Sequence, residues 1–151
     1  DTMGVKAIDL SDSDYLVDMI VYKEGYDILT ITENGYGKRT ELSEYRVQNR
    51  GGIGIKTYKC SDITGNVVGI RSVKDDEDIM IITSEGIIIR IAAKDVSSIG
   101  RGTKGVRLMR LSEGVKVVSI GITEHEEPEE ETEEVTPENT AAEAPEEEKT
   151  E

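Results

Sequence analysis

Nine cations stand out by spacing: Lys38, Arg39, Arg46, Arg50, Lys56, Arg90, Arg101, Lys104 and Arg107. Arg90 falls at the place of Arg39, and Arg101 at the place of Arg50, in a second copy of the same pattern. Lys104 and Arg107 flank the start of the next predicted strand. Cations held in register along one side attract a polyphosphate through charge and counterion release, with no base reading needed. Glycines accompany them at 51, 52, 54, 100, 102 and 105, where bare backbone would let N–H groups approach an anion. A set of cations that merely balanced surface acids would need no such register.

Other chemistries lack their residues. "GRGTKG" at 100–105 fits G-x-G-x-x-G but precedes "VRLMRL", a strand by repeat logic, where a dinucleotide fingerprint must open a helix. "GYGKRT" at 35–40 lacks the Ser or Thr after Lys38 that a P-loop requires. The one histidine, His125, is expected in a disordered tail, and no Ser/His/Asp or Cys/His set exists. Asp75, Asp76, Glu77 and Asp78 read as a solvated turn. Cys60 is alone and reads as a small core or interface residue in a reducing compartment. No metal site and no catalytic residue is expected.

The charge divides sharply. The chain has a formal net charge of −14, yet residues 1–122 hold 18 acids and 17 bases, a net of −1. Residues 123–151 hold 14 glutamates and one lysine, a net of −13, with three prolines. That segment cannot repay the entropy of ordering and is expected to be a disordered Glu-rich tail. No apolar run reaches membrane-spanning length and no signal peptide is visible, so a cytoplasmic location is expected. Asp1-Thr2-Met3 reads as a cut through a longer chain.

The elements that must position the cations repeat every 50 to 51 residues. "GVKAIDL" (4–10), "GIKTYKC" (54–60) and "GVRLMRL" (105–111) correspond. So do "YLVDMIV" (15–21), "NVVGIRSV" (66–73) and "VKVVSIGI" (115–122), and "DILTITENGYGKRT" (27–40) corresponds to "DIMIITSEGIIIRI" (78–91). Each unit reads as four strands, from short β-branched runs between turns. Asn34-Gly35 predicts a type I′ hairpin turn, and 41–50 and 92–101 predict loops with a short helical turn. Four strands per period is the pattern of a propeller blade. The fold class is all-β: β-propeller or β-pinwheel blades of four antiparallel strands in a partial ring, two and a half repeats over 1–122, with a tail over 123–151. Such a piece is expected to be marginally stable alone.

"ENGYGKRTELSEYRVQNRGGIGIKTYK", "IMIITSEGIIIRI" and "GRGTKGVRLMRL" closely resemble the C-terminal domain of the A subunit of bacterial DNA gyrase, a type IIA DNA topoisomerase. The resemblance covers about residues 4–122, and a Glu-rich tail also looks like that family. It implies a β-pinwheel that binds and wraps double-stranded DNA around its cationic perimeter, supporting ATP-dependent negative supercoiling by strand passage. It also implies a complex of two A and two B subunits, in which the B subunits bind ATP and magnesium. No cofactor is expected in this segment. The family's gyrase box reads Q-R-R-G-G-K-G. Gln48, Arg50, Gly51, Gly52 and Gly54 match it, while Asn49 and Ile53 replace two of its three cations. Residues 48–54 therefore look like a degenerate copy. None of the six tyrosines sits in the setting of the family's catalytic tyrosine. The resemblance leaves two alternatives, the related domain from the A subunit of topoisomerase IV and a propeller used for protein contacts.

Overall fold

The computed structural model describes residues 2–21 and 23–126. Its strands are β1 (Asp27–Thr32), β2 (Tyr36–Glu41), β3 (Val67–Val73), β4 (Glu77–Thr83), β5 (Ile88–Ala92), β6 (Val106–Arg107) and β7 (Val117–Glu124). Single 3-10 turns at Leu42–Glu44 and Ala93–Asp95 follow β2 and β5, as the irregular stretches at 41–50 and 92–101 predict.

β1 and β2 form an antiparallel hairpin with Leu29 opposite Arg39. β4 and β5 repeat it, with Met80 opposite Arg90. The connection differs from the predicted type I′ turn. Among the described residues no side-chain-bearing residue has positive φ, so Asn34 cannot take its part in such a turn. Instead Glu33–Gly35 makes a three-residue loop in which Gly35 alone is left-handed (φ 76°), its N–H bonding to the Thr32 carbonyl at 3.0 Å. Asn34 is free to donate its carboxamide to the carbonyls of Asp62 and Ile63, at 3.2 and 3.0 Å.

The sheets are antiparallel, as the blade pattern predicts, but the strands of one sheet do not all come from one sequence unit. One sheet has the order β3-β1-β2-β6 and the other β5-β4-β7. In each, the hairpin of one unit is completed by a strand from the next unit: β3 beside β1, and β7 beside β4. The outer edge of the first sheet comes from the unit after that, where Gly37 pairs with Val106. The segment Tyr15–Val21 is the counterpart of β3 and β7. The alternation at Val17, Met19 and Val21 predicts a strand there, yet it joins no ladder and all three stay exposed. Its counterparts each pair with the hairpin preceding them, and no hairpin precedes residue 15 among the described residues.

The core lies between the two sheets: Leu29, Ile31, Val73, Ile79, Ile81, Ala93, Val96, Val117 and Ile120. Each buried Leu, Ile or Val among them contributes about 1.5–3 kcal/mol. β3 and β7 converge so closely that a Cβ on Gly69 would lie 3.3 Å from Ile120. Asp18 reaches the same place, accepting from the Ile70 N–H and pairing with Arg71. The three equivalent segments thus gather on one side, and β6 marks the opposite, outer edge. Residues 127–151, most of the expected tail, lie outside the described residues. Thr123 and Glu124 belong to β7. Cys60 is exposed, so it is not the core residue that its type suggests.

Candidate nucleic-acid interface

Three of the nine cations are structural, which corrects their assignment to a phosphate stripe. Lys38 is fully buried. Its ammonium donates to the Gly100 carbonyl at 2.8 Å and to Thr103 Oγ1 at 3.1 Å, 5.4 Å from the centre of the Tyr58 ring. Burial, helped by the Arg101 charge, pushes its pKa below the usual lysine range. Tyr58 is buried too, its hydroxyl bonded to the Lys104 carbonyl, and desolvation pushes its pKa up to about 12.

Arg39 closes a clasp. Its Nε and Nη2 donate to Asp27 Oδ2 at 3.0 and 2.8 Å, and Nη1 donates to the Ala93 carbonyl at 2.9 Å and pairs with Asp75 at 2.5 Å. Burial alone would lower its pKa, but the bonds to Asp27 and Asp75 outweigh it and raise it. Arg90 builds the same object 51 residues on. Its Nε donates to Asp78 Oδ2 at 2.7 Å, Nη1 to Glu126 at 2.9 Å and Nη2 to the Glu124 carbonyl at 2.8 Å. The bonds to Glu126 and then Asp78 raise its pKa. In both clasps the arginine ties the first strand of its own hairpin to the end of the strand donated by the next unit.

The acids therefore have a purpose that the run Asp75–Asp78 conceals. Asp75 serves the first clasp, and Asp78, buried, serves the second. Asp78 also binds His125 Nδ1 at 2.7 Å, so His125 is seated on β4, not in a loose tail. Desolvation would raise the Asp78 pKa, but the bonds to His125 and Arg90 hold it below the usual carboxylate range. Among the described residues no group of His, Cys, Asp and Glu could hold a metal ion.

The glycines are also structural. The Gly51 N–H bonds to the Ala7 carbonyl and the Gly102 N–H to the Thr57 carbonyl, at 2.8 and 3.1 Å, so neither is offered to an anion. A Cβ on Gly105 (φ 70°) would lie 2.5 Å from the Gly37 carbonyl oxygen, which leaves room for glycine alone. Gly52 accepts from the Asp9 N–H at 2.8 Å, and Gly54 is left-handed at φ 74°. Gly100 gives its carbonyl to Lys38. Gln48 is exposed and reaches only the neighbouring Val47 carbonyl, at 3.4 Å.

Six predicted cations remain for a ligand. Arg46, Arg50, Lys56, Lys104 and Arg107 are exposed and pair with no described carboxylate. Arg107 lies 5.3 Å over the Tyr36 ring. Arg101 is half-buried, 5.8 Å over the Tyr45 ring, with Nη1 donating to the Lys56 carbonyl at 3.2 Å. Lys59 bonds through its N–H to Thr103, so residues 56–59 run beside 101–104 and bring Lys56, Lys59, Arg101 and Lys104 to one seam. Lys59 and Arg110 are missing from the predicted set. Their signal is nonetheless present in the sequence: each follows Lys56 or Arg107 by three positions.

The family profile described as "DNA gyrase C-terminal domain, beta-propeller" matches residues 1–23, 26–74 and 77–124. The chain belongs to the DNA gyrase C-terminal domain family. The three matched stretches end in Lys23, Lys74 and Glu124, so each closes at or just after the end of a strand of the β3 and β7 class or its counterpart segment. The DNA gyrase A subunit of Staphylococcus epidermidis is 45% identical over 126 residues, 82% of this chain and 14% of that protein. The Staphylococcus aureus protein is 45% identical over 119 residues, 78% of this chain and 13% of that protein. This gyrase-family chain thus spans about a seventh of the relatives it matches. A solved gyrase A C-terminal domain aligns at 31% identity with a TM-score of 0.62, over 65% of this chain and 33% of that one. The C-terminal domain of DNA topoisomerase IV aligns at 22% identity with a TM-score of 0.72, over 80% and 38%, a likeness of fold.

Proposed function

We propose that this chain is a DNA-binding and DNA-wrapping module of a gyrase A subunit. The observation that carries the reading is the set of exposed cations without acid partners among the described residues, spread over three successive units on a chain of the gyrase C-terminal family. Clasped arginines hold the blades together. The unclasped Arg46, Arg50, Lys56, Arg101, Lys104 and Arg107 meet phosphates. DNA held this way is gripped by its backbone and not read by sequence. The wrapped segment serves a type II topoisomerase in which two A and two B subunits work together in the bacterial cytoplasm, at the nucleoid. ATP and magnesium act in the B subunits. This chain supplies no catalytic group and holds no cofactor.

The test is duplex affinity against salt. Binding should weaken steeply between about 50 and 200 mM salt and be alike for unrelated duplexes. Sequence-blind affinity that ignores salt would sink the reading. A second reading, the topoisomerase IV module, draws on Asn49 and Ile53, which remove two cations from the box-like stretch at 48–54. A supercoiling assay on the intact enzyme separates the two, since the gyrase reading requires negative supercoils to be introduced.

A further inference from the structure

A cleft of about 420 Å³ opens at the outer edge, between the Asn34–Tyr36 loop and the segment 107–116. Its charged lining consists of Arg107, Arg110 and Lys116, and no carboxylate lines it. Arg107 is pre-set there. Tyr36 lies under its guanidinium, and the tyrosine hydroxyl accepts from Nη2 at 2.7 Å and Nε at 3.2 Å. Lys116 Nζ donates to Asn34 Oδ1 at 2.5 Å and stands 3.7 Å from Glu33, which attenuates but does not cancel the cleft's charge. Arg110 is exposed and makes no side-chain bond to any described residue. An aromatic shelf that orients one arginine, with two further cations facing the same space, is a ready receptor for a tetrahedral anion.

The repeat supplies the second observation. Arg107 and Arg110 stand 51 residues after Lys56 and Lys59, so two units carry the same pair of outer-edge cations. In the remaining unit the places hold Lys6 and Asp9, which pair with each other. The pair is therefore cancelled in one copy and left open in two. We propose that the cleft seats one backbone phosphate of duplex DNA between Arg107, Arg110 and Lys116, with Lys56 and Lys59 continuing the path on the neighbouring segment. The inference rests on the DNA-binding reading above and gives it an address. Lys116 leaves Asn34 for the phosphate when DNA arrives, and Tyr36 keeps Arg107 in place throughout.

The experiment compares two double variants of the intact protein, each losing two positive charges: Arg110→Gln with Lys116→Gln, and Lys6→Gln with Lys94→Gln. Neither touches the core, and circular dichroism verifies the fold. The cleft variant should lose on the order of tenfold in duplex affinity at ~0.1 M salt and flatten the log–log salt slope by up to about one, well beyond the control. The charge-keeping variant Arg110→Lys with Lys116→Arg should retain most of the affinity. Equal losses in the cleft and control variants would overturn the cleft while leaving a steeply salt-dependent wild type, and so the DNA reading, intact. A wild type with no salt-dependent duplex affinity would overturn both.

Discussion

The two clasps are made of the same parts and differ in their surroundings. The Arg39 side chain is 10% exposed and reaches past its own sheet to the Ala93 carbonyl of the next unit. The Arg90 side chain is 35% exposed, meets no further unit among the described residues, and gives its last donor to the Glu124 carbonyl of the donated strand. The first clasp is thus internal to a stack of sheets and the second sits at an open face. One sequence pattern yields a covered arginine in one place and a half-solvated arginine in the other. What decides is whether another unit covers it. Removing one partner of a buried pair strands the other charge, and Asp27 has no second ion-pair partner among the described residues, whereas the buried Asp78 keeps His125.

That difference should be largest in the unfolding of arginine variants. Arg39→Ala should cost about 3–5 kcal/mol, because Asp27 is left without its counter-charge beside the core. Arg90→Ala should lower the denaturation midpoint by clearly less, and equal losses would mean that coverage is not the controlling variable. Lys38→Ala comes next. It strands the Gly100 carbonyl and opens a cavity under Tyr58, for about 2–3 kcal/mol, while Lys38→Met, which keeps the stem, should recover part of that loss in the same denaturant titration.

Acid should act on the second clasp through Asp78. Its carboxyl is held below the ordinary value of 3.8, so the folded state binds that proton less readily than the unfolded chain. The stabilisation is complete above the unfolded value and fades as pH falls through 3.8 toward the lowered one. Asp78→Asn should flatten the fall in unfolding midpoint below about pH 4, and an unchanged acid limb would contradict the assignment. The smallest effect on stability belongs to the cations outside the clasps. Arg50→Gln and Lys56→Gln should each stay within about 0.5 kcal/mol of wild type and yet reduce the salt slope of DNA binding by about one.

The repeat, the strand class and the hairpins are legible in the sequence, because β-branched runs and turn glycines recur with one period. Which hairpin a strand joins is not. A spacing of 51 is the same whether β3 pairs within its own unit or with the one before. The misassigned arginines teach more. Arg39 and Arg90 share a register, and a shared register alone reads as a mark of ligand binding. Their acids share it too: Asp27 with Asp78, and Asp75 with Glu126. A cation that repeats together with carboxylates at fixed offsets is built to be neutralised. A cation whose neighbours do not follow it, such as Arg107 or Arg50, stays available. Lys38 gives no such warning, since its partners are a carbonyl and a hydroxyl. The extra pair at Lys59 and Arg110 is visible in register but lies outside the glycine-linked set.

Strand exchange also limits how this molecule can be taken apart. A segment of 51 residues is a repeat in the sequence but not a removable module in space, because it lends edges to sheets it does not own. Excising the middle copy would strip β3 from the first sheet and delete the β4–β5 hairpin on which β7 rests. Such a cut falls between a hairpin and the strand that completes it at both ends, so the shortened chain would hold only if β7 took the place of β3 beside β1, and a protease that nicks one linker would leave the pieces threaded together.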